Sequence, residues 1–318
     1  MSKTAIAKVT DLSRKEWLAL RKNGIGGSDA AAVCGMSRWK GQLDVYLDKT
    51  SKDVSEFLGN EAMYWGIKME PILRDEFAVR SGLKVEEVPY MFRRKEYPFM
   101  IADIDGIVHE KDGSISLLEI KTAGGYAEKD WENGLPPEYY IQIQHYLAVV
   151  DLPKAYVAVL IGGNKFRTEE VPRDDDTIET ITNLEADFWR NHILTLTPPA
   201  PDATSSEALN ELYPESNGTS TILGPEADAI IEDLESCRQM EEQLKTARAE
   251  SENSLKMMLG KAECAKTPSG YSIRWKSSST SRLDSTKLKA DHPDLVAAYT
   301  KTTSYRRFSV TAPKKGDK

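Results

Sequence analysis

Two short runs carry the chemistry of this sequence. Asp105-Gly106 is followed by Leu118-Glu119-Ile120-Lys121, so two carboxylates and an amine fall on consecutive segments whose apolar and β-branched residues predict strands. Carboxylates supply the hard oxygens that Mg²⁺ prefers while it keeps several waters. An ammonium offsets charge that builds on a phosphate under attack. Together they make the donor set of a metal-dependent site that cleaves phosphodiesters. Asp105 and Glu119 would be the ligands, aided by the main-chain carbonyl of Ile120, and Lys121 would orient or activate the attacking water. The alternative is an exposed strand whose Glu-x-Lys pair contributes under about 1 kcal/mol. The Asp-Gly on the preceding strand is what weighs against that reading.

The elements that must position these residues follow from periodicity and turn signals. Asp112-Gly113 predicts a two-residue hairpin turn, which sets Asp105 opposite Ile120. Period two puts Glu119 and Lys121 on one face, and this register turns Asp105 to the other. Convergence therefore requires a bulge or a loop one residue longer, expected near Asp105-Gly106.

Upstream, Ser13-Arg14-Lys15-Glu16 is a capping box that opens a helix through Arg21. Gly24-Ile25-Gly26-Gly27-Ser28-Asp29 breaks it, and Ser28 is expected to cap a second helix through Val33. That loop would offer amides to an anion, or serve only as a turn between helices. Trp65, Met69, Leu73 and Phe77, with Ile72, form an apolar stripe that predicts a helix over residues 60–80 ending near Gly82. Pro71 predicts a kink or a helix start at Glu70, a residue that would otherwise be solvated.

Strands are expected over residues 84–88, 99–109, 114–122 and 155–161, with a partner strand through 171. Helices are expected over 136–150 and 174–193, the first with Gln142 to the side of its apolar face. Strands flanked by helices make the fold class α/β, with a mixed central sheet. His109 and His145 are expected at a strand end and a helix surface. Tyr139, Tyr140 and Tyr146 fit core or helix-face positions better than base stacking, and Trp39 and Lys40 could touch nucleic acid.

Residues 198–221 have linker composition, rich in Pro, Ser, Asn and Thr. Beyond them Ile230, Cys237, Leu244, Ser251 and Met258 recur every seven residues, which predicts a long helix in a hairpin or coiled coil, followed by strand-like pieces at 271–275 and 308–311. The division is thus a core over 1–197, a linker over 198–221, and a helical, basic C-terminal region over 222–318.

At 318 residues the chain can bury roughly 75% of its unfolded surface. Cys34, Cys237 and Cys264 form neither a CxxC pair nor a disulfide framework, as in a reduced compartment. No apolar run is long enough to span a bilayer, and the N-terminus lacks the apolar stretch of a signal peptide, so a cytoplasmic protein with no membrane partner is expected. The net charge of −8 hides an uneven distribution. Residues 265–318 hold twelve Lys/Arg and four Asp/Glu, leaving −16 for residues 1–264. This tail is either a solvated surface or a contact for duplex phosphates.

A set of ordered motifs decides among these options. Trp17-(x3)-Arg21, the run Gly24 to Ala32, Trp65-Gly66-(x3)-Glu70, Asp103-Ile104-Asp105-Gly106, Glu119-Ile120-Lys121 and the run Tyr140 to Tyr146 together resemble the YqaJ-like viral recombinase family. That family is phage-lambda-exonuclease-like and belongs to the PD-(D/E)XK nucleases, and the match spans about residues 10 to 195. The resemblance implies a restriction-endonuclease-like core and a Mg²⁺-dependent 5′-to-3′ exonuclease acting on double-stranded DNA ends, with Mn²⁺ able to substitute. Its product would be a 3′ overhang for a single-strand annealing protein of the RecT/Bet type, within a bacterial host and of phage or prophage origin. A homo-oligomer, such as a trimeric ring, accords with the family.

The resemblance makes Asp105 and Glu119 metal ligands and Lys121 the catalytic lysine. It sets Glu70 near the metal water and gives Gln142 the positioning of water or phosphate. Arg21 and Ser28 match residues that bind the 5′-terminal phosphate. The family's serine-proline before Asp-Gly is Asp103-Ile104 here, a departure that bears on phosphate contacts from that turn and not on the metal role of Asp105. The alternatives are a structure-specific or restriction-type endonuclease using the same site, and a non-catalytic DNA-binding or recombinase-loading protein. Three scattered cysteines exclude a four-cysteine iron–sulfur cluster.

Overall fold

The computed structural model describes residues 3–51, 60–303 and 305–311. The chain divides into two compact units, Met1–Leu212 and Tyr213–Lys318. In the first unit, β1 (Lys3–Lys8) precedes the helices α1 (Arg14–Lys22), α2 (Gly27–Val33), α3 (Gln42–Thr50) and α4 (Glu61–Ser81). Five strands follow: β2 (Lys84–Glu86), β3 (Tyr90–Arg94), β4 (Ile101–Asp103), β5 (Gly106–His109) and β6 (Ile115–Ala123). Then come α5 (Pro137–Val150), β7 (Lys154–Ile161), β8 (Lys165–Pro172), α6 (Asp175–Phe188) and α7 (Ser206–Leu212).

The main sheet has the order β2-β5-β6-β7-β8. Only β6 and β7 run parallel, and α5 is the crossover between them, as a parallel pair requires. A smaller antiparallel sheet, β1-β3-β4, lies beside it. Alternation along β6 divides the core between two helices. Leu117 joins Ile143, Leu147 and Val150 of α5, while Leu118 and Ile120 meet Leu73 and Phe77 of α4. A mixed sheet covered by helices is the α/β fold the sequence predicts.

Several local expectations are corrected. The stretch expected as one strand over 99–109 is split at Ile104 and Asp105, so that β4 and β5 belong to different sheets. Helix α4 does not begin at Glu70. Asn60 caps it, its side chain accepting the Met63 amide at 2.9 Å, and Pro71 lies inside. The carbonyl that Pro71 leaves unbonded is that of Ile67, an exposed residue where water can take the bond. Trp65 and Ile72, read as part of the buried stripe, are exposed. Gly26 rather than Ser28 caps α2, because Asp29 reaches back to the Gly26 amide at 3.2 Å. Within the stretch of linker composition, α7 packs Ala208 against Leu43 and Tyr46 of α3.

The second unit contains α8 (Glu226–Leu259), the antiparallel pair β9 (Cys264–Lys266) and β10 (Ser272–Arg274), and the short helices α9 (Ser285–Asp291) and α10 (Pro293–Tyr299). The 34 residues of α8 give a rod of about 50 Å, and its heptad residues Ile230, Leu244 and Met258 are exposed. Residues 308–311 form no strand. Lys314, Lys315 and Lys318 of the basic tail lie outside the described residues. Among the described residues no helix is long and apolar enough to cross a membrane.

Candidate active site

The β5–β6 hairpin resolves the register question at its turn. Gly106 pairs with Leu118 and His109 with Ile115, and the hairpin closes through the Glu110 amide donating to the Ser114 carbonyl at 2.9 Å. The loop therefore holds three residues, with Gly113 at φ 84°, a conformation that glycine adopts without penalty. This one-residue change from the two-residue turn brings Asp105 level with Glu119. The longer loop lies in the turn at residues 111–113, at the far end of the hairpin from the expected place near Asp105-Gly106, where the chain instead breaks between β4 and β5.

Asp105, Glu119 and Lys121 converge with Gln142 of α5. Oδ2 of Asp105 accepts the Ile120 amide at 2.7 Å. Oε1 of Glu119 accepts from Lys121 Nζ and from Gln142 Nε2, each at 2.7 Å. Lys121 also donates to Gln142 Oε1 at 3.0 Å and sits 5.0 Å from the centre of the Tyr139 ring. The other carboxylate oxygen of Glu119, Oε2, is buried and has no hydrogen-bond partner among the described residues. A buried charged acceptor without a partner is costly, so this atom is suited to a cation.

Glu70 reaches the same cleft from α4. It pairs with Arg74 one turn on, and Arg74 Nε donates to the main-chain carbonyl of Asp105 at 2.9 Å. Burial pushes the Asp105 carboxyl well above the usual carboxylate range, helped by the charges of Glu119 and Glu70. Burial also raises Glu119, although Lys121 opposes it, and raises Glu70 against the pull of Arg74. For Lys121, burial works to lower the value, but Glu119 and Asp105 outweigh it and hold the amine protonated. Such a set is short of positive charge, and a divalent cation would relieve it. Among the described residues no three His, Cys, Asp or Glu side chains converge tightly enough to hold an ion alone. Two carboxylates, a carbonyl and retained waters fit the habit of Mg²⁺.

In the same cleft, α1 and α2 bring Arg21 and Ser28 together. Arg21 Nη2 donates to Ser28 Oγ at 2.9 Å, and its guanidinium lies over the Trp17 ring at 4.9 Å. Behind them Asp29 is buried, within 2.6 Å of Lys40 Nζ, 2.8 Å of Lys49 Nζ and 3.7 Å of Arg21. Burial works against this charge, but Lys40, Lys49 and Arg21 outweigh it and hold the carboxyl well below its usual range. One carboxylate thus gathers three cations, leaving positive charge for an anionic ligand. Asp103, at the serine position of the family motif, accepts the Trp17 indole N–H at 2.8 Å. Arg21, Ser28, Glu70, Asp105, Glu119 and Lys121 all line one cleft of about 1090 Å³, and Gln142 stands beside it through its bond to Lys121.

Every site residue predicted from sequence therefore lies in or beside this cleft. Arg74, Asp29, Lys49 and Tyr139 were not foreseen in these roles. For Arg74 the one available signal was its i, i+4 spacing from Glu70, which is common on helices. His109 stays outside, 3.0 Å from Glu86. His145 is not on a surface. It is fully buried between Glu185 and the Ile101 carbonyl. Trp39 is exposed, while Lys40 lines the cleft beside Asp29.

Residues 16–153 match the model of the YqaJ-like viral recombinase domain. The uncharacterized protein YqaJ of Bacillus subtilis (strain 168) is 36% identical over 311 residues, covering 96% of each chain. Among solved structures, an alkaline exonuclease (LHK-Exo) from Laribacter hongkongensis overlaps 57% of this chain and 94% of its own, with 21% identity and a TM-score of 0.48. A phage-related exonuclease from Haemophilus somnus 129PT overlaps 57% of this chain and 99% of its own, with 14% identity and a TM-score of 0.39.

Proposed function

The chain belongs to the YqaJ-like viral recombinase family, and from that premise we propose that its cleft degrades double-stranded DNA from an end, as a divalent-metal-dependent 5′-to-3′ exonuclease. The single observation that carries this reading is the Glu119–Lys121–Gln142 network beside Asp105, with the buried Glu119 Oε2 unpartnered among the described residues. It supports hydrolysis because it joins a buried carboxylate oxygen suited to a cation to a protonated amine.

The residues that would hold the metal are Asp105, Glu119 and the carbonyl of Ile120, with Mg²⁺ the expected ion and Mn²⁺ a substitute. When bound, the ion would supply Lewis-acid polarisation and lower the pKa of a water. Lys121, kept protonated by Glu119 and Asp105, orients the attacking water and offsets charge on the phosphate as the bond breaks. Gln142 holds Lys121 and Glu119 in register with each other. Glu70 reaches the same cleft from α4, and its carboxylate can accept a hydrogen bond from the water. Arg21 and Ser28 hold the 5′-terminal phosphate, since a guanidinium and a hydroxyl are both donors for phosphate oxygens. Holding the terminal phosphate in the same cleft as the cutting site directs cleavage to the end of the strand. The 3′ overhang so produced is a substrate for an annealing protein of the RecT/Bet type, and a homo-oligomer such as a trimeric ring would keep the enzyme on its strand.

Digestion of three substrates with Mg²⁺ tests the reading. The linear 5′-phosphorylated duplex is expected to be degraded, the covalently closed circle to survive, and the 5′-hydroxyl duplex to lose its disadvantage in an Arg21→Ala variant. Cutting of the circle would instead favour an endonuclease built on the same site.

A further inference from the structure

Arg74 is only 9% exposed, a depth at which a cation is kept only when paired. Its guanidinium reaches three groups in different directions. Nε donates to the main-chain carbonyl of Asp105 at 2.9 Å, Nη2 pairs with Glu70, and Nη1 lies 3.3 Å from Glu87. Two of these partners lie outside α4, so this is more than a surface pair along one helix. We propose that Arg74 is a positioning residue of the cleft, tying Glu70 to the backbone of Asp105 so that carboxylates from two separate elements stand at a fixed separation.

The need for such a tie follows from the topology. Asp105 sits outside both neighbouring ladders, between the β3–β4 pairing that ends at Asp103 and the β5–β6 pairing that begins at Gly106. No ladder bond fixes its backbone. Its carboxylate is held by the Ile120 amide and its carbonyl by Arg74, so the residue is pinned at both ends. Glu70 belongs to α4, whose Leu73 and Phe77 pack on the sheet face of Leu118 and Ile120, whereas Glu119 faces Gln142 of α5. Nothing in that apolar packing sets where the Glu70 carboxylate points. The planar fork of arginine can bond a carbonyl and a carboxylate at once, which the single ammonium of lysine does not reproduce.

This inference rests on the reading of the cleft as a metal-dependent nuclease site. The test uses the full chain with Arg74→Gln, Arg74→Lys, Glu70→Gln and the double variant Arg74→Gln/Glu70→Gln. Mn²⁺ binding is measured by titration calorimetry without DNA, alongside kcat and KM on linear duplex. Removal of such a supporting group is expected to weaken Mn²⁺ binding or kcat by about 10- to 100-fold with KM little changed. Arg74→Lys, which keeps charge and stem and so preserves the fold, is expected to recover only a small part. The double variant should lose much less than the product of the two single losses, because both changes break one linkage. Independent, multiplicative losses would overturn the assignment, as would Arg74→Gln with Mn²⁺ binding and kcat equal to wild type. A wild type that neither binds Mn²⁺ nor degrades DNA would overturn the nuclease reading itself, and the assignment with it.

Discussion

Asp29 shows how a single buried charge can organise a binding surface. Its carboxylate faces Lys40, Lys49 and Arg21 and caps the Gly26 amide, so the phosphate site in the cleft depends on it although it need not touch substrate. Breaking a buried pair leaves its partners uncompensated, so Asp29→Asn is expected to cost about 3–5 kcal/mol near neutral pH. The pH dependence follows from the direction of the shift. Burial would raise the carboxyl, but the three cations hold it well below the usual range. Its stabilisation is then complete above the unfolded value of about 4 and fades as pH falls through the depressed folded value. Urea denaturation of wild type and variant should give curves that converge in acid, and a gap that stays constant would contradict this role. Asp105, Glu119 and Lys121 could be read from residue type and spacing because their chemistry is local to one hairpin. Asp29 and Arg74 could not, since Lys49 lies 20 residues from Asp29 and Asp105 lies 31 from Arg74, and only the fold makes them neighbours.

At the scale of elements, the helix pair α2 and α5 controls the site most directly. A Cβ on Gly27 would lie 2.5 Å from Tyr146 Cε1 and 2.7 Å from Gln142 Cγ, closer than atoms can pack. Gly27→Ala therefore must push α2 and α5 apart and move Gln142 from Glu119 and Lys121. A misplacement near 1 Å can cost about 10²-fold in rate, so degradation of linear duplex should fall by up to that factor. An unchanged rate would mean that Gln142 does not position the pair. The sequence located β6, β7, α4 and α5, although β6 and α5 show no exposed face opposite a buried one. Ser116 to Ile120 and Gln142 to Val150 are all buried, so run length and composition mark them more than alternation does. Asp-Gly signals a tight turn in the two-residue form, and the three-residue loop is the longer alternative that the convergence of Asp105 with Glu119 required. Periodicity missed the helix 206–212, whose polar sequence is held by the burial of Ala208 against α3 rather than by propensity.

On the scale of the whole molecule, the catalytic candidates and the clusters that support them lie in the first unit, while the basic excess of residues 265–318 lies in the second. Deletion of residues 213–318 is expected to weaken duplex affinity and flatten its salt dependence, because each phosphate no longer neutralised by a Lys or Arg removes about one counterion from the slope. Binding measured across a salt series checks this, and an unchanged slope would assign the second unit to protein contacts instead. The long helix of that unit was legible from its heptads, but what its exposed row meets was not, because a repeat specifies a face and not a partner. The central claim is that Lys121, held between Glu119 and Gln142, acts in phosphodiester hydrolysis. Its most direct test is nucleotide release from a linear 5′-phosphorylated duplex with Mg²⁺, wild type against Lys121→Ala at matched thermal stability. The account predicts release by wild type and a loss of at least about 10²-fold in the variant, whereas equal release by both proteins would contradict it.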